Sequence, residues 1–245
     1  MILETRIPDF GGRKFTEQEL MPDGNCKYHG DYFGDECDSC AWHRQRQEKI
    51  LKHNSEAMGL APKYHRRALT DWIQENDGQK RALVYANKFL AGDITSLLLV
   101  GDVSSGDGGG FGNGKTTLAA MLLWEFVKKG HEPGHYCLAN GIAREFADCM
   151  NKNNTISRND LVKKYTAKSF LVIDELAAGA VSAAECKFLS DIVSERLDYQ
   201  RQTILISNMS IDYLSGRVLH KRVIDRLRED MAQVVFNWPS SRGVR

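Results

Sequence analysis

Eight consecutive residues narrow the folds open to this chain: Gly109-Gly110-Phe111-Gly112-Asn113-Gly114-Lys115-Thr116. They fit the pattern of Gly, any four residues, Gly, Lys and Ser or Thr. A loop that wraps a polyphosphate must bring its backbone N–H groups close to the oxygens, and a Cβ atom there stands in the way. Lys115 supplies a point charge for the β- and γ-phosphates, and the Thr116 hydroxyl a ligand for Mg²⁺. Gly109, Gly110, Gly112, Asn113, Gly114, Lys115, Thr116 and Thr117 are therefore expected to line a nucleotide phosphate site. The flanking chain suits the motif. Ser96-Leu97-Leu98-Leu99-Val100 reads as a buried parallel strand, and Leu118 to Lys129 as a helix whose N-terminus lies beneath the phosphates. The plainer alternative is a flexible Gly-rich linker, but a linker has no reason to end in Lys-Thr-Thr and a helix. Between Gly101 and Gly109 stands an insertion, residues 102–108, containing Asp102 and Asp107. Two carboxylates would repel bound polyphosphate, so this insertion is expected to turn outward into solvent.

The second strong signal is Lys168-Ser169-Phe170-Leu171-Val172-Ile173-Asp174-Glu175, an apolar strand ending in two carboxylates. Such a strand presents them at the carboxyl end of an open α/β sheet, where ligands bind. Asp174 is expected to contact Mg²⁺ through its water shell, and Glu175 to polarise an attacking water. A bare acidic cap is the alternative for either residue, and the phosphate loop upstream argues against it. Thr203-Ile204-Leu205-Ile206-Ser207-Asn208 is a further buried strand. The Asn208 amide at its tip can sense a γ-phosphate, or simply start a turn. Other predicted elements are helices over Gln79–Leu90, Ile142–Met150 and Ala183–Gln200, short strands over His135–Leu138 and Val234–Trp238, and a basic helix-like run from Gly216 to Arg228. In that last run the arginines form either a solvated face or a finger that reaches a neighbour's nucleotide.

At 245 residues the chain can hold one full core and a small accessory module. A net charge of +1 excludes coating duplex DNA by bulk charge but allows a local basic groove. No apolar run approaches the ~20 residues of a membrane span, and no signal peptide is evident, so a cytoplasmic setting is expected. In that setting the six cysteines are thiols or metal ligands rather than disulfides. Cys26-Lys27-Tyr28-His29 and Cys37-Asp38-Ser39-Cys40 have zinc-site spacing, each pair presenting two ligands from a tight turn. His43 can replace His29. Cys137, Cys149 and Cys186 stand singly among apolar residues and are expected in the core. Ala41 to Met58 reads as a polar, basic connector helix that Gly59-Leu60-Ala61-Pro62 ends. This divides the chain into an N-terminal zinc module and connector over residues 1–58 and a nucleotide-binding domain over 59–245. Lys63-Tyr64-His65-Arg66-Arg67 is a basic-aromatic cluster with either a nucleic-acid or a plain surface role.

Taken in order, these motifs resemble the AAA+ ATPases of the DnaC/DnaI helicase-loader family, in a phage or prophage form. The resemblance runs from Gly59 to the C-terminus. Gly59-Leu60-Ala61-Pro62-Lys63-Tyr64 is similar to the family's Gly-Ile-Pro segment, Gly109–Thr116 to Walker A and Phe170–Glu175 to Walker B. Ile204–Asn208 resembles sensor 1, Arg222-Val223-Ile224-Asp225-Arg226 the arginine-finger motif, and Phe236-Asn237-Trp238 the ending of DnaC. The resemblance implies an α/β fold, an AAA+ P-loop NTPase core with a parallel sheet and flanking helices and no C-terminal lid. It implies ATP and Mg²⁺ as cofactors, with Lys115, Asp174, Glu175, Asn208 and Arg222 as catalytic residues and Arg226 in support. The partners implied are a replicative DnaB-type helicase, single-stranded DNA and further copies of the chain, with ATP at the subunit interfaces. An IstB-like transposition helper shares nearly the same core, and a zinc-dependent adaptor whose ATP site only switches conformation is the reading from another class. The insertion before Gly109 and the short zinc module depart from DnaC, whose helicase-binding domain is helical; DnaI-like loaders carry zinc there.

The paired spacing predicts about one zinc per purified chain by elemental analysis, held by Cys26, His29, Cys37 and Cys40. A metal-free N-terminal module that is nevertheless folded would overturn the assignment.

Overall fold

The computed structural model describes residues 53–65, 67–101, 112–150, 155–179 and 182–240, and the backbone of 25–26 and 30–31. The chain divides into two units, residues 1–56 and 57–245. In the first, two short strands, β1 (Asn25–Cys26) and β2 (Gly30–Asp31), pair antiparallel with Cys26 opposite Gly30. His29, Cys37, Cys40, His43 and the Cys26 side chain lie outside the described residues, as does most of the connector.

The second unit is built on a five-stranded parallel sheet in the order β4-β5-β6-β3-β7. In chain order its elements are α1 (Asp77–Ala91), β3 (Ser96–Gly101), α2 (Lys115–Lys128), β4 (His135–Leu138), α3 (Ala139–Cys149), α4 (Arg158–Thr166), β5 (Phe170–Leu176), α5 (Ala183–Asp198), β6 (Gln202–Ser207), α6 (Ile211–Leu214), α7 (Lys221–Asp230) and β7 (Met231–Phe236). The apolar run of β3 is buried along its whole length because it pairs with β6 on one side and β7 on the other. Side chains alternate across the sheet. Leu98, Val100, Leu171, Ile173 and Leu205 join one core with Ile142, Phe146, Leu161, Phe188, Ile192 and Ile224 from α3, α4, α5 and α7. On the opposite face Phe170 packs against Phe89 of α1 and Phe126 of α2, with ring centroids 5.1 and 5.3 Å apart.

Several boundaries differ from the sequence reading, for local reasons. Helix α1 starts at Asp77 because Asn76 caps it, accepting from the Gln79 N–H at 2.9 Å. Helix α3 begins at Ala139, directly from β4. The basic run from Gly216 to Arg228 is not one helix. Gly216 adopts a left-handed φ of 75°, Ser215 bridges to Leu219, and helix begins only at Lys221. The last strand opens at Met231 and closes at Phe236, leaving Trp238 beyond it. Helix α4 was not foreseen. Its signal is Ser157, whose hydroxyl accepts from the Asp160 N–H while the Asp160 carboxylate accepts from the Ser157 N–H. Of the three single cysteines, Cys186 is buried and Cys137 and Cys149 are half-buried.

At the amino end of the sheet, Arg196 of α5 has no exposed surface. Its guanidinium donates to the carbonyls of Tyr165 at 2.9 Å, Lys168 at 2.6 Å and Gln202 at 2.7 Å, and its Nε to the Thr203 hydroxyl at 2.9 Å. No carboxylate among the described residues pairs with it, so carbonyl dipoles carry the stabilisation of the charge. One side chain thereby ties the end of α4 to the starts of β5 and β6. Replacing Arg196 with Met should orphan these acceptors and lower stability by about 3 kcal/mol, read as a shift in the urea midpoint without a change in slope. An unchanged midpoint would show that solvent takes over all of the acceptors.

Candidate nucleotide site

Parallel pairing brings the carboxyl ends of β3, β5 and β6 to one rim. The phosphate loop leaves β3 there. Gly109 and Gly110 lie outside the described residues, as does the insertion over 102–108; Gly112 to Thr117 are described. Helix α2 begins at Lys115 with no side-chain cap, whereas Asn76, Ser157, Ser182 and Ser210 cap α1, α4, α5 and α6. The first N–H groups of an uncapped helix, together with its dipole, suit an anion. Gly114 takes a φ of 97°, and a Cβ built on it would come within 3.3 Å of the Trp72 ring. The left-handed conformation therefore favours glycine, and the space for a side chain is tight.

The loop is moored from behind by the last strand and its tail. The Asn113 Nδ2 donates to the Phe236 carbonyl at 2.7 Å, and the Trp238 Nε1 donates to the Asn113 carbonyl at 2.9 Å. Trp72, Phe236 and Trp238 form an aromatic cluster beneath the loop, with centroids 6.3, 6.3 and 4.5 Å apart. The Lys115 Nζ donates to the Asn113 Oδ1 at 2.9 Å and stands 5.8 Å from the centre of the Phe236 ring. Lys115 is thus held within its own loop with most of its stem covered. The Asn113 side chain braces the loop and the lysine.

Across β6 from the loop, β5 delivers Asp174. The Thr116 Oγ1 donates to the Asp174 Oδ2 at 2.7 Å, joining the start of α2 to the strand. The Tyr136 hydroxyl donates to the same oxygen at 2.9 Å, and the Glu175 N–H donates to the Asp174 Oδ1 at 2.6 Å. Tyr136 was not foreseen from the sequence. A hydroxyl and a carboxylate oxygen side by side form a hard-oxygen donor set, which fits Mg²⁺. Glu175 is exposed and takes a left-handed φ of 59° at an irregularity in the β5–β6 pairing. For a non-glycine residue this conformation is costly, and such costs concentrate at functional sites. Glu175 also borders a cavity of about 250 Å³ lined by Asn140, Arg144, Ala178, Glu185 and Val218.

Asn208 directly follows β6, between the loop strand and the carboxylate strand. Arg222 is not brought to this cluster. It is exposed near the start of α7 and makes no hydrogen bond or ion pair with any described residue. Arg226, one turn on, is bound within its own chain, donating to the Ser194 hydroxyl at 2.8 Å and pairing with Asp198. Among the described residues no group of three or more His, Cys, Asp or Glu gathers as metal ligands, and no helix is long and apolar enough to cross a membrane.

No family model and no curated protein matches the chain. Solved structures do. The crystal structure of the DnaC helicase loader superposes with a TM-score of 0.58 at 22% identity, over 72% of this chain and 99% of that one. The chain shares the fold of this loader. The crystal structure of DnaI agrees, with a TM-score of 0.60 at 22% identity, over 75% of this chain and 94% of its own. The replication initiator DnaA, bound to AMPPCP and single-stranded DNA, superposes at a TM-score of 0.58 and 21% identity, over 75% of this chain and 53% of DnaA. At such identities the likeness is one of fold.

Proposed function

We propose that this chain is an ATP-hydrolysing AAA+ loader that places a replicative DnaB-type helicase on single-stranded DNA in replication initiation. The observation that carries the reading is the Thr116–Asp174 hydrogen bond, which sets a phosphate loop against an acidic strand end with Glu175 one residue on. In this reading Lys115 leaves Asn113 to reach the β- and γ-phosphates, and the first turn of α2 supplies N–H donors. Thr116, and Asp174 through the ion's water shell, would hold Mg²⁺, which would neutralise charge on the phosphate oxygens. Glu175, exposed at the rim, takes a proton from the attacking water, and Asn208 orients that water. DnaC and DnaI, whose fold this chain shares, support the helicase as partner, and the DnaA complex supports ATP and single-stranded DNA as ligands. Cys26, His29, Cys37 and Cys40 are proposed to hold Zn²⁺ in the N-terminal module, on spacing alone. A cytoplasmic setting follows from the same reading.

Arg222 supports assembly into an oligomer. It is an exposed guanidinium on a helix that starts at the carboxyl side of the sheet, without a partner among the described residues of its own chain, and it is proposed to complete the site of a neighbouring copy. Arg226, tied to α5, fixes the helix that presents it.

The test is steady-state hydrolysis with and without single-stranded DNA. Lys115→Ala should lose nucleotide binding. Glu175→Gln and Arg222→Ala should bind ATP nearly as the wild type does yet hydrolyse it about 10³-fold more slowly. Lys115→Ala mixed with Arg222→Ala should recover part of the turnover through hybrid interfaces. Wild-type turnover by Arg222→Ala would remove the finger. A wild type that binds ATP without hydrolysing it would favour an adaptor whose ATP site only switches conformation.

A further inference from the structure

One side chain at the site has no role in the reading above. Tyr136 lies on β4, the edge strand, and its hydroxyl meets the Asp174 Oδ2 at 2.9 Å. The register explains the contact. Leu138 is the partner of Asp174 and Tyr136 of Val172, so Tyr136 stands diagonally from Asp174 on the same face of the sheet. Thr116 reaches the same oxygen, at 2.7 Å, from α2. A carboxylate that accepts from one donor can still rotate about its last bond. Two donors on one oxygen, carried by two different elements, fix its plane, and the Glu175 N–H on the other oxygen completes the restraint.

The tyrosine is itself held. Gly134 packs so closely that a Cβ there would stand 2.6 Å from Leu123 and 2.9 Å from the Phe170 carbonyl. A Cβ on Gly59 would stand 2.7 Å from the Tyr136 carbonyl. The strand therefore has no slack on either side. Burial, and after it the negative charge of Asp174, pushes the Tyr136 phenol well above its ordinary range. It stays protonated and so keeps a hydrogen to donate to Asp174. A hydroxyl that donates to a buried carboxylate makes a strong, charge-assisted contact.

We propose that Tyr136 is a positioning residue of the nucleotide site: its hydroxyl holds the Asp174 carboxylate in the orientation that receives the Mg²⁺ of bound Mg·ATP. This rests on the ATP reading given above. In this proposal Tyr136 acts through Asp174 alone. Its effect is confined to how well the Thr116–Asp174 oxygen pair accepts the metal, so it should alter the contribution of Mg²⁺ to nucleotide binding and leave metal-free binding alone.

The experiment compares wild type with Tyr136→Phe, which removes the hydroxyl and keeps the ring. A fluorescent ATP analogue is titrated at equilibrium in excess Mg²⁺ and again in excess EDTA. In EDTA the two proteins should bind alike. The gain in affinity on adding Mg²⁺ should be about tenfold smaller in Tyr136→Phe, the scale of one hydrogen bond to a charged group. The same gain in both proteins overturns the proposal, and so does an equal loss in both conditions, which is the mark of a merely structural residue. A wild type that binds the analogue in neither condition overturns the ATP reading itself, and this inference with it, so the two failures are told apart by the wild-type arms alone.

Discussion

The hydrogen bond from Thr116 to Asp174 is the constraint around which the unit over residues 57–245 is arranged. It joins the first turn of the helix that follows β3 to the end of β5, with β6 standing between the two strands. The two groups can meet only if all three strands are in parallel register and their carboxyl ends are level, as the pairing of Val100 and Leu176 with Ser207 provides. Burial of both sheet faces fixes that register, because a slip by one residue would turn Phe170 and Val172 into the core meant for Leu171 and Ile173. The site is thus a consequence of core packing rather than an addition to it.

Two poles of the sheet are secured in different ways. At the amino end Arg196 gathers carbonyls from α4, β5 and β6, where no ligand is expected. At the carboxyl end the restraints are side chains that meet functional groups: Asn113 on Lys115, and Thr116 and Tyr136 on Asp174. The first kind of contact stabilises without offering alternatives. In the proposed function the second kind is exchangeable, each of these donors and acceptors having a second use toward a phosphate or a metal. A molecule that must respond to a ligand needs a fixed end to respond against.

Much of this was legible in the sequence because it rests on local pattern. The apolar runs of β3, β5 and β6 and the Gly-x-x-x-x-Gly-Lys-Thr motif announce a parallel sheet with a phosphate loop. The unforeseen features are contacts between residues far apart in the chain. Trp238 and Asn113 are separated by 125 positions, and Tyr136 and Asp174 by 38. No periodicity within one segment encodes such a meeting. Tyr136 reads as an ordinary strand residue until the register sets it diagonal to a carboxylate. The split of the 216–228 run has a local cause, the left-handed Gly216, and helix α4 a local signal, the Ser157–Asp160 capping pair.

The aromatic cluster beneath the phosphate loop has an optical consequence. Two of the protein's four tryptophans, Trp72 and Trp238, are among the three rings packed there, and one indole N–H is bonded to the backbone of the loop itself. Indole emission responds to the polarity of its surroundings and to the bonding of its N–H. Any rearrangement of the loop that moves Asn113 must alter one of these two chromophores directly. The protein therefore carries an unlabelled fluorescent gauge beneath this loop, in which a change of loop conformation can be followed as a change of colour and intensity in real time.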